Sequence, residues 1–325
     1  MPNKFNESKR HHIEKQQYKI SNWPEYNASL RKRGRLDIWL EDDVCNDWLH
    51  PERMFDGTGS SHHYTDLAIL TCHEIRCTFK LPLRQTQGFI DSLFSMMNLP
   101  LFCPDFSTLS KRLYQLGINA PRYKKGEQID SSVVAIAIDS TGLKRYGRDE
   151  WHQEKHQVAS KRSWRKIHLG VGDNHIIYAA TLTDKNIMDN MVVEELCQQI
   201  QVDVNHLSAD KMYDDNQVNE TLETHFPKAD VVIPPREDLY YDESHHATRC
   251  RNMIEIAAKG KIAWQRSHEY GKRNVSEMAM QRYKRTFGNR LHARNMDNQK
   301  MEIMIACGAL NCFTGFGMPQ SYRSN

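Results

Sequence analysis

Hydrophobic and polar positions divide the chain into two textures. From Thr65 to about Leu116, apolar residues recur three and four apart. This predicts helices over "TDLAILTCHEIRCTFK", "LPLRQTQGFIDSLFSMMN" and "DFSTLSKRLYQL", punctuated by Pro82, Pro100 and Pro104. From residue 133 the texture turns to strand. "VVAIAIDS" (133–140) is a continuous apolar run suited to a central strand. "KIHLGVGD" (166–173) and "HIIYAATLTD" (175–184) flank a turn at Asp173-Asn174 and read as a hairpin. There follow a helix over 188–200, a strand over 204–210, a helix over 215–225 and a strand over 229–235 stopped by prolines; helices then run to the end. Nearer the start, "RLDIWL" (35–40) reads as a strand after a Gly-containing turn, and "SSHHY" (60–64) as a loop. No internal repeat is visible.

These textures imply an organisation. Residues 1–20 are a polar, His- and Lys-rich arm expected to be flexible, and 21–117 a mainly helical region. "INAPRYKKGEQIDSS" (118–132) is a linker, 133–315 the strand-rich domain and 316–325 a tail. The order β-β-β-α-β-α-β-α-α puts three antiparallel strands before two parallel crossovers. That is the ribonuclease-H-like α/β order, a mixed five-stranded sheet flanked by helices.

Composition adds exclusions. Of the 325 residues, 39% are hydrophobic and 26% charged, as in soluble globular proteins. The longest uncharged apolar run, "IMIACGALNCFTGFGM" (303–318), is too short and too rich in Gly, Asn and Thr to span a bilayer. The polar start has no apolar core of a secretion signal, so a cytoplasmic place is expected. The eight cysteines form no CxxC pair and read as reduced.

Charge is unevenly distributed. Residues 249–300 hold 13 Lys/Arg against 4 Asp/Glu, and 141–168 hold 8 against 3, while 169–248 hold 4 against 16. Such polarity fits a polyanion-binding face opposite an acidic one, or charge scattered over solvated faces. A helix starting at Ser107 or Thr108, exposing Ser107, Ser110, Lys111 and Arg112, fits either a helix-turn-helix recognition element or a plain bundle with a basic surface. Trp164, in the basic run 161–166, reads as a base-stacking or a strand-edge residue, and His152, His156 and His168 have no zinc spacing.

Three carboxylates stand where sites form. Asp139 ends the first strand, Asp210 ends the fourth, and Glu277 sits on a late helix. Three hard oxygen donors without a thiolate suit Mg2+ or Mn2+, and two such ions can activate a hydroxyl and stabilise a leaving phosphodiester oxygen. Each carboxylate also has a purely structural reading. Asp139 can cap the turn at "DSTG", Asp210 can begin a helix, and Glu277 can close a capping box with Asn274. Around Glu277, Tyr270, Arg273 and Lys284 share its face on a continuous helix; a helix starting at Asn274 would leave Tyr270 and Arg273 in the preceding loop.

Tyr270, Arg273, Glu277 and Lys284 reproduce the Tyr-x2-Arg-x3-Glu-x6-Lys spacing, and the chain resembles the bacterial insertion-sequence DDE transposases that carry this signature. "AIDSTGLKRYG", "KRSWRKIHLGVG", "SADKMYDD" and the block from Arg251 to Arg294 are similar to that group's other blocks. "NWPEYNASLRKRGRLDIWL" and "FKLPLRQTQGF" resemble its insertion-sequence-five branch, and the likeness covers about residues 20–315. It departs at Lys211, where a small residue, often Gly, is usual. The resemblance implies a two-metal site of Asp139, Asp210 and Glu277 holding Mg2+ or Mn2+. It sets Tyr270, Arg273 and Lys284 against DNA phosphates, with Lys144, Arg165 and Lys166 as further phosphate ligands. It further implies double-stranded DNA partners (terminal inverted repeats and target), a homodimer on DNA, a bacterial nucleoid setting and no membrane. A nuclease that cuts without strand transfer and a copy that only binds DNA are the alternatives.

Overall fold

The strand-rich half builds one five-stranded mixed sheet, and the physical reason is visible strand by strand. The structure, a computed structural model, describes residues 17–54, 62–121, 134–145, 164–236, 241–242 and 244–324. The polar arm up to residue 16, residues 122–132 of the linker, His152, His156 and residues 161–163 of the basic run lie outside the described residues.

In chain order the strands are β1 (Gln17–Ile20), β2 (Leu49–Met54), β3 (His62–Tyr64), β4 (Val134–Lys144), β5 (Trp164–Gly172), β6 (Ile177–Asp184), β7 (Val204–Ala209), β8 (Asp230–Val232) and β9 (Ser321–Ser324). The helices are α1 (Trp23–Lys32), α2 (Asp42–Asn46), α3 (Asp66–Phe79), α4 (Leu83–Met96), α5 (Phe106–Arg112), α6 (Val193–Gln199), α7 (Asn216–His225), α8 (Ala247–Lys259), α9 (Lys261–Ser267), α10 (Asn274–Phe287) and α11 (Met296–Gly315). Two compact units emerge.

In the first unit, residues up to Leu36 and from Phe313 onward, β1 pairs antiparallel with β9. Asn22 clasps the return strand, donating to Met318 O at 3.1 Å and accepting from the Gln320 N–H at 2.8 Å.

The second unit, Asp37–Cys312, holds the large sheet in the order β6-β5-β4-β7-β8. The β4–β5 and β5–β6 pairs are antiparallel; β4–β7 and β7–β8 are parallel, the mixed order expected from the sequence. β4 is central, so Val134–Ile138 are all buried, which is why that stretch carries no polar alternation. One face is sealed by α6 and α7 through Leu196, Cys197, Val218 and Leu222, all buried with Ile136 and Ile138 in one cluster. α10 packs against β4 and β5, and its Ser276, Ala279, Met280, Tyr283 and Phe287 are buried at helical spacing. The β5–β6 turn needs glycine at 172: a Cβ there would meet Asn174 Oδ1 at 2.5 Å and the Tyr178 ring at 2.7 Å. β6 is an edge strand, and Asn311 of α11 covers it. The Ile177 N–H donates to Asn311 Oδ1 at 2.8 Å, and Asn311 Nδ2 donates to Ile177 O at 2.9 Å.

The helical part of this unit is built on α3, whose Ala68, Ile69, Leu70, Thr71, Cys72, His73, Ile75 and Arg76 are buried. Thr65 caps α3 by accepting from the Ala68 N–H at 3.1 Å, and Lys80 closes it in the left-handed conformation. Trp48 is fully buried, stacks edge-on to Phe94 at 5.0 Å and donates to Phe102 O at 2.9 Å.

Four expectations are corrected. His62–Tyr64, read as part of a loop, form the strand β3, paired antiparallel with β2. Residues 35–40 are turns, not a strand; Trp39 and Leu40 are buried from a turn that leads into α2, so apolar content there reflects packing without a ladder. β4 does not stop at Asp139 but runs on to Lys144, because β5 stays paired as far as Lys144↔Trp164. Arg112 is buried rather than presented on a recognition face: it donates to Tyr64 O at 2.6 Å and pairs with Asp66.

Candidate active site

β4 and β7 run parallel, and their last aligned pair is Ile138↔Ala209. The next residue on each strand is a carboxylate, so Asp139 and Asp210 emerge side by side where the parallel ladder ends. Beyond that point β7 no longer pairs with β4, which continues with β5 and at Lys144 bridges Arg290. Asp139 Oδ1 accepts from the Ser140 N–H at 2.8 Å. Asp210 Oδ1 accepts from the Met212 N–H at 2.8 Å and caps the short 3-10 turn Lys211–Tyr213, so the structural reading of Asp210 also holds. Lys211 is exposed, and its charge joins the Met212 N–H and Arg273 in opposing the rise that burial imposes on the Asp210 carboxyl.

The third carboxylate arrives on a helix. A 3-10 turn, Tyr270–Arg273, runs straight into α10, so these residues are neither a full α-helical stripe nor a separate loop. Glu277 lies in the first turn of α10 and makes no capping box, since Arg273 is the N-cap and no side-chain cap bond forms. Arg273 joins two of the three acids: its Nη1 donates to Asp139 Oδ2 at 2.9 Å, and its Nη2 pairs with Glu277 Oε1. Ser276 Oγ also reaches Asp139 Oδ2, at 3.5 Å.

Electrostatics mark the cluster. Burial pushes the Asp139 carboxyl above its ordinary value, opposed by the Ser140 N–H and Arg273 and reinforced by the charges of Asp210 and Glu277. Asp210 is likewise raised by burial, with Asp189 adding to the effect. Two half-buried acids facing further acids form a site that gains from a cation. Arg273 supplies one. Among the described residues, no group of three or more His, Cys, Asp or Glu side chains stands close enough to hold a metal ion as placed; the guanidinium fills the space between Asp139 and Glu277. The donor chemistry, all hard carboxylate oxygen, fits Mg2+ or Mn2+.

The other sequence-selected residues divide. Tyr270 donates to Ala209 O at 3.3 Å, and burial lifts its hydroxyl to about 12, so the phenol is tied to the end of β7. Arg273 sits over its ring at 5.8 Å. Lys284, one face of α10 further on, donates to Thr141 Oγ1 at 2.7 Å, and burial lowers its pKa. Lys144 is exposed. Arg165 and Lys166 point to opposite sides of β5 and are both engaged: Arg165 pairs with Asp184 and donates to Gln299 at 3.3 Å, and Lys166 donates to Asp189 Oδ1 at 2.6 Å. His168 is fully buried and bonds Thr183 at 2.8 Å.

Sequence reasoning missed Asp189. It opens the 3-10 turn Asp189–Val192 before α6, accepts from Ser140 Oγ at 2.8 Å and holds Lys166. A carboxylate just before an amphipathic helix looks like an ordinary cap, so only the packing of that turn against β4 and β5 brings it beside Asp139.

Residues 131–312, more than half of the chain, match a family described as "Transposase DDE domain", and residues 31–148 match a second family with the same description. Among solved structures, the chain is similar to a piggyBac transposase in a synaptic complex with hairpin DNA, seen by cryo-EM. The identity is 10%, the alignment covers 92% of this chain and 78% of that one, and the TM-score is 0.37.

Proposed function

This chain belongs to the transposase DDE-domain family, and from that premise we propose that it is the DNA-cutting and DNA-joining enzyme of a bacterial insertion sequence. The observation that carries the reading is the meeting of Asp139 and Asp210 at the end of the parallel ladder, with Glu277 brought to Asp139 by Arg273. In a ribonuclease-H-like core, that is where a metal-dependent phosphodiester chemistry would sit.

Asp139, Asp210 and Glu277 would hold the divalent cations, Mg2+ or Mn2+, which when bound would acidify an attacking hydroxyl and stabilise the leaving oxygen. The chain's own residues do the rest. Burial and mutual repulsion raise the energy of the ionised acids, so positive charge is drawn to them. Arg273 meets that demand in the DNA-free state and turns its fork to a phosphate when DNA arrives, releasing Asp139 and Glu277. Tyr270 fixes the turn that carries Arg273 to the end of β7. Lys284 and the exposed Lys144 line the approach of the strand to be cut, whereas Arg165 and Lys166 act by holding Asp184 and Asp189. Residues 21–117 recognise the terminal repeats, and two copies hold the two ends of the element.

The test is incubation of the protein with duplex carrying the flanking element ends and Mn2+, followed by mapping of 3′ ends. Defined 3′-hydroxyl ends that join to a target duplex are expected. Cutting by Asp139→Asn at the wild-type rate would overturn the site, and cutting without joined products would leave a nuclease.

A further inference from the structure

We propose that a cationic groove in the helical part of the Asp37–Cys312 unit binds the phosphodiester backbone of double-stranded DNA without reading its sequence, a second DNA contact apart from the carboxylate site. The groove is an open cavity of about 800 Å3. Its lining includes Arg76, Lys80, Arg84, Lys111 and Arg294, and among the described residues no Asp or Glu lines it. The inference deepens the reading above, in which the chain's substrate is duplex DNA.

Four separate segments supply these cations. Arg76 comes from α3 and Lys80 from its C-cap; Arg84 comes from the first turn of α4 and Lys111 from α5; Arg294 comes from the segment leading into α11. Lys80, Arg84, Lys111 and Arg294 are exposed, while Arg84 lies flat on the Phe106 ring at 4.2 Å, which holds its guanidinium at the rim. His73 lines the floor but adds no charge, because burial lowers its pKa to about 3 and its Nε2–H donates to Leu109 O at 3.1 Å.

Arg76 is the informative residue. It is only 9% exposed, its Nε has no hydrogen-bond partner, and no carboxylate pairs with it among the described residues. Burying a guanidinium without a counter-charge is costly, and an anion reaching it would relieve that cost. Glu302 and Asp105 are the neighbouring acids, and the Asp105 carboxyl is held below its ordinary value first by Ser107 and further by the charges of Arg84 and Lys111. Glu302, which lines a small adjoining cavity with Arg76, accepts from the N–H groups of His292 and Ala293. Asp105 caps α5 through the Ser107 N–H. Several cations on separate walls, one of them buried, suit a run of phosphates better than a single small anion. The groove also accounts for the basic character of the Ser107–Lys111 segment: it faces a backbone, and its partner Arg112 is turned inward.

The experiment measures binding of the full-length protein to a short random-sequence duplex across a salt series, without divalent metal. For Arg84→Gln/Lys111→Gln, both exposed positions, the log–log salt slope should fall by about 1.8 and low-salt affinity by about tenfold, with an unchanged melting temperature. Arg76→Gln should reduce the rise in melting temperature that duplex gives the wild type. Wild-type slope and affinity in the double variant would overturn the groove, as would weakened binding of inorganic phosphate with unchanged duplex binding. Failure of the enzyme reading is seen separately: a wild type that does not cut DNA with Mn2+ refutes that reading, while the slope change still tests the groove.

Discussion

The carboxylate site and the cationic groove are opposite solutions to the same problem, how to keep like charges close together. Where the β4–β7 ladder ends, acids gather and are restrained by one arginine, with burial raising Asp139 and Asp210. In the groove, cations gather around Arg76, whose Nε has no hydrogen-bond partner among the described residues, and the buried His73 is held neutral. The first arrangement calls for added positive charge and the second for added negative charge. A metal-bearing phosphodiester backbone brings both.

The sharpest break of this symmetry is Asp139→Asn. It should reduce metal-dependent cutting by about a thousandfold or more while leaving duplex affinity intact, measured by 3′-end mapping beside a binding titration. The groove variant Arg84→Gln/Lys111→Gln should do the reverse, lowering affinity with cutting of saturating DNA retained. Next in size is the scaffold beneath each region. Ile138→Ala, in the fully buried centre of β4, should lower unfolding free energy by roughly 2–5 kcal/mol, read by denaturant melts. Arg112→Met should cost less, about 1–3 kcal/mol, because its partner Asp66 is largely exposed and only the bond to Tyr64 O is shielded.

A pH dependence also separates the two regions. The folded state holds His73 at about 3 and His168 at about 4, both below the ordinary 6.5, chiefly through burial. The unfolded chain therefore takes up these protons first as pH falls below 6.5. Stability should decline from there toward 4, each histidine adding up to about 1.4 kcal/mol per pH unit. His73→Gln, which keeps a donor for Leu109 O, should remove part of that slope in acid denaturation and leave the slope from His168. An unchanged curve would mean that His73 is not buried neutral.

How much of this was readable beforehand depends on the range of the forces involved. β4 to β8 were legible because apolar runs and turn residues are local signals, and they placed Asp139 and Asp210 on neighbouring strands. The extension of β4 past Asp139 was not, since it depends on how long β5 keeps its register. Residues 35–40 misled because Trp39 and Leu40 are buried without a ladder. Arg112 misled because a helix wheel cannot say which face meets Asp66, which lies far off in sequence. Asp189 and the groove needed packing between segments that no spacing rule connects. Arg165 and Lys166 looked like phosphate ligands by charge alone; their partners Asp184 and Asp189 become visible only across the sheet.

The amide of Asn311 mimics two rungs of a neighbouring strand against Ile177. A frameshift or early stop that removes the last fifteen or so codons would therefore strip β6 of its cover and leave an unpaired margin open to another chain's backbone. Shortened copies of the gene should then yield insoluble product even when every acid of the cleft is still encoded.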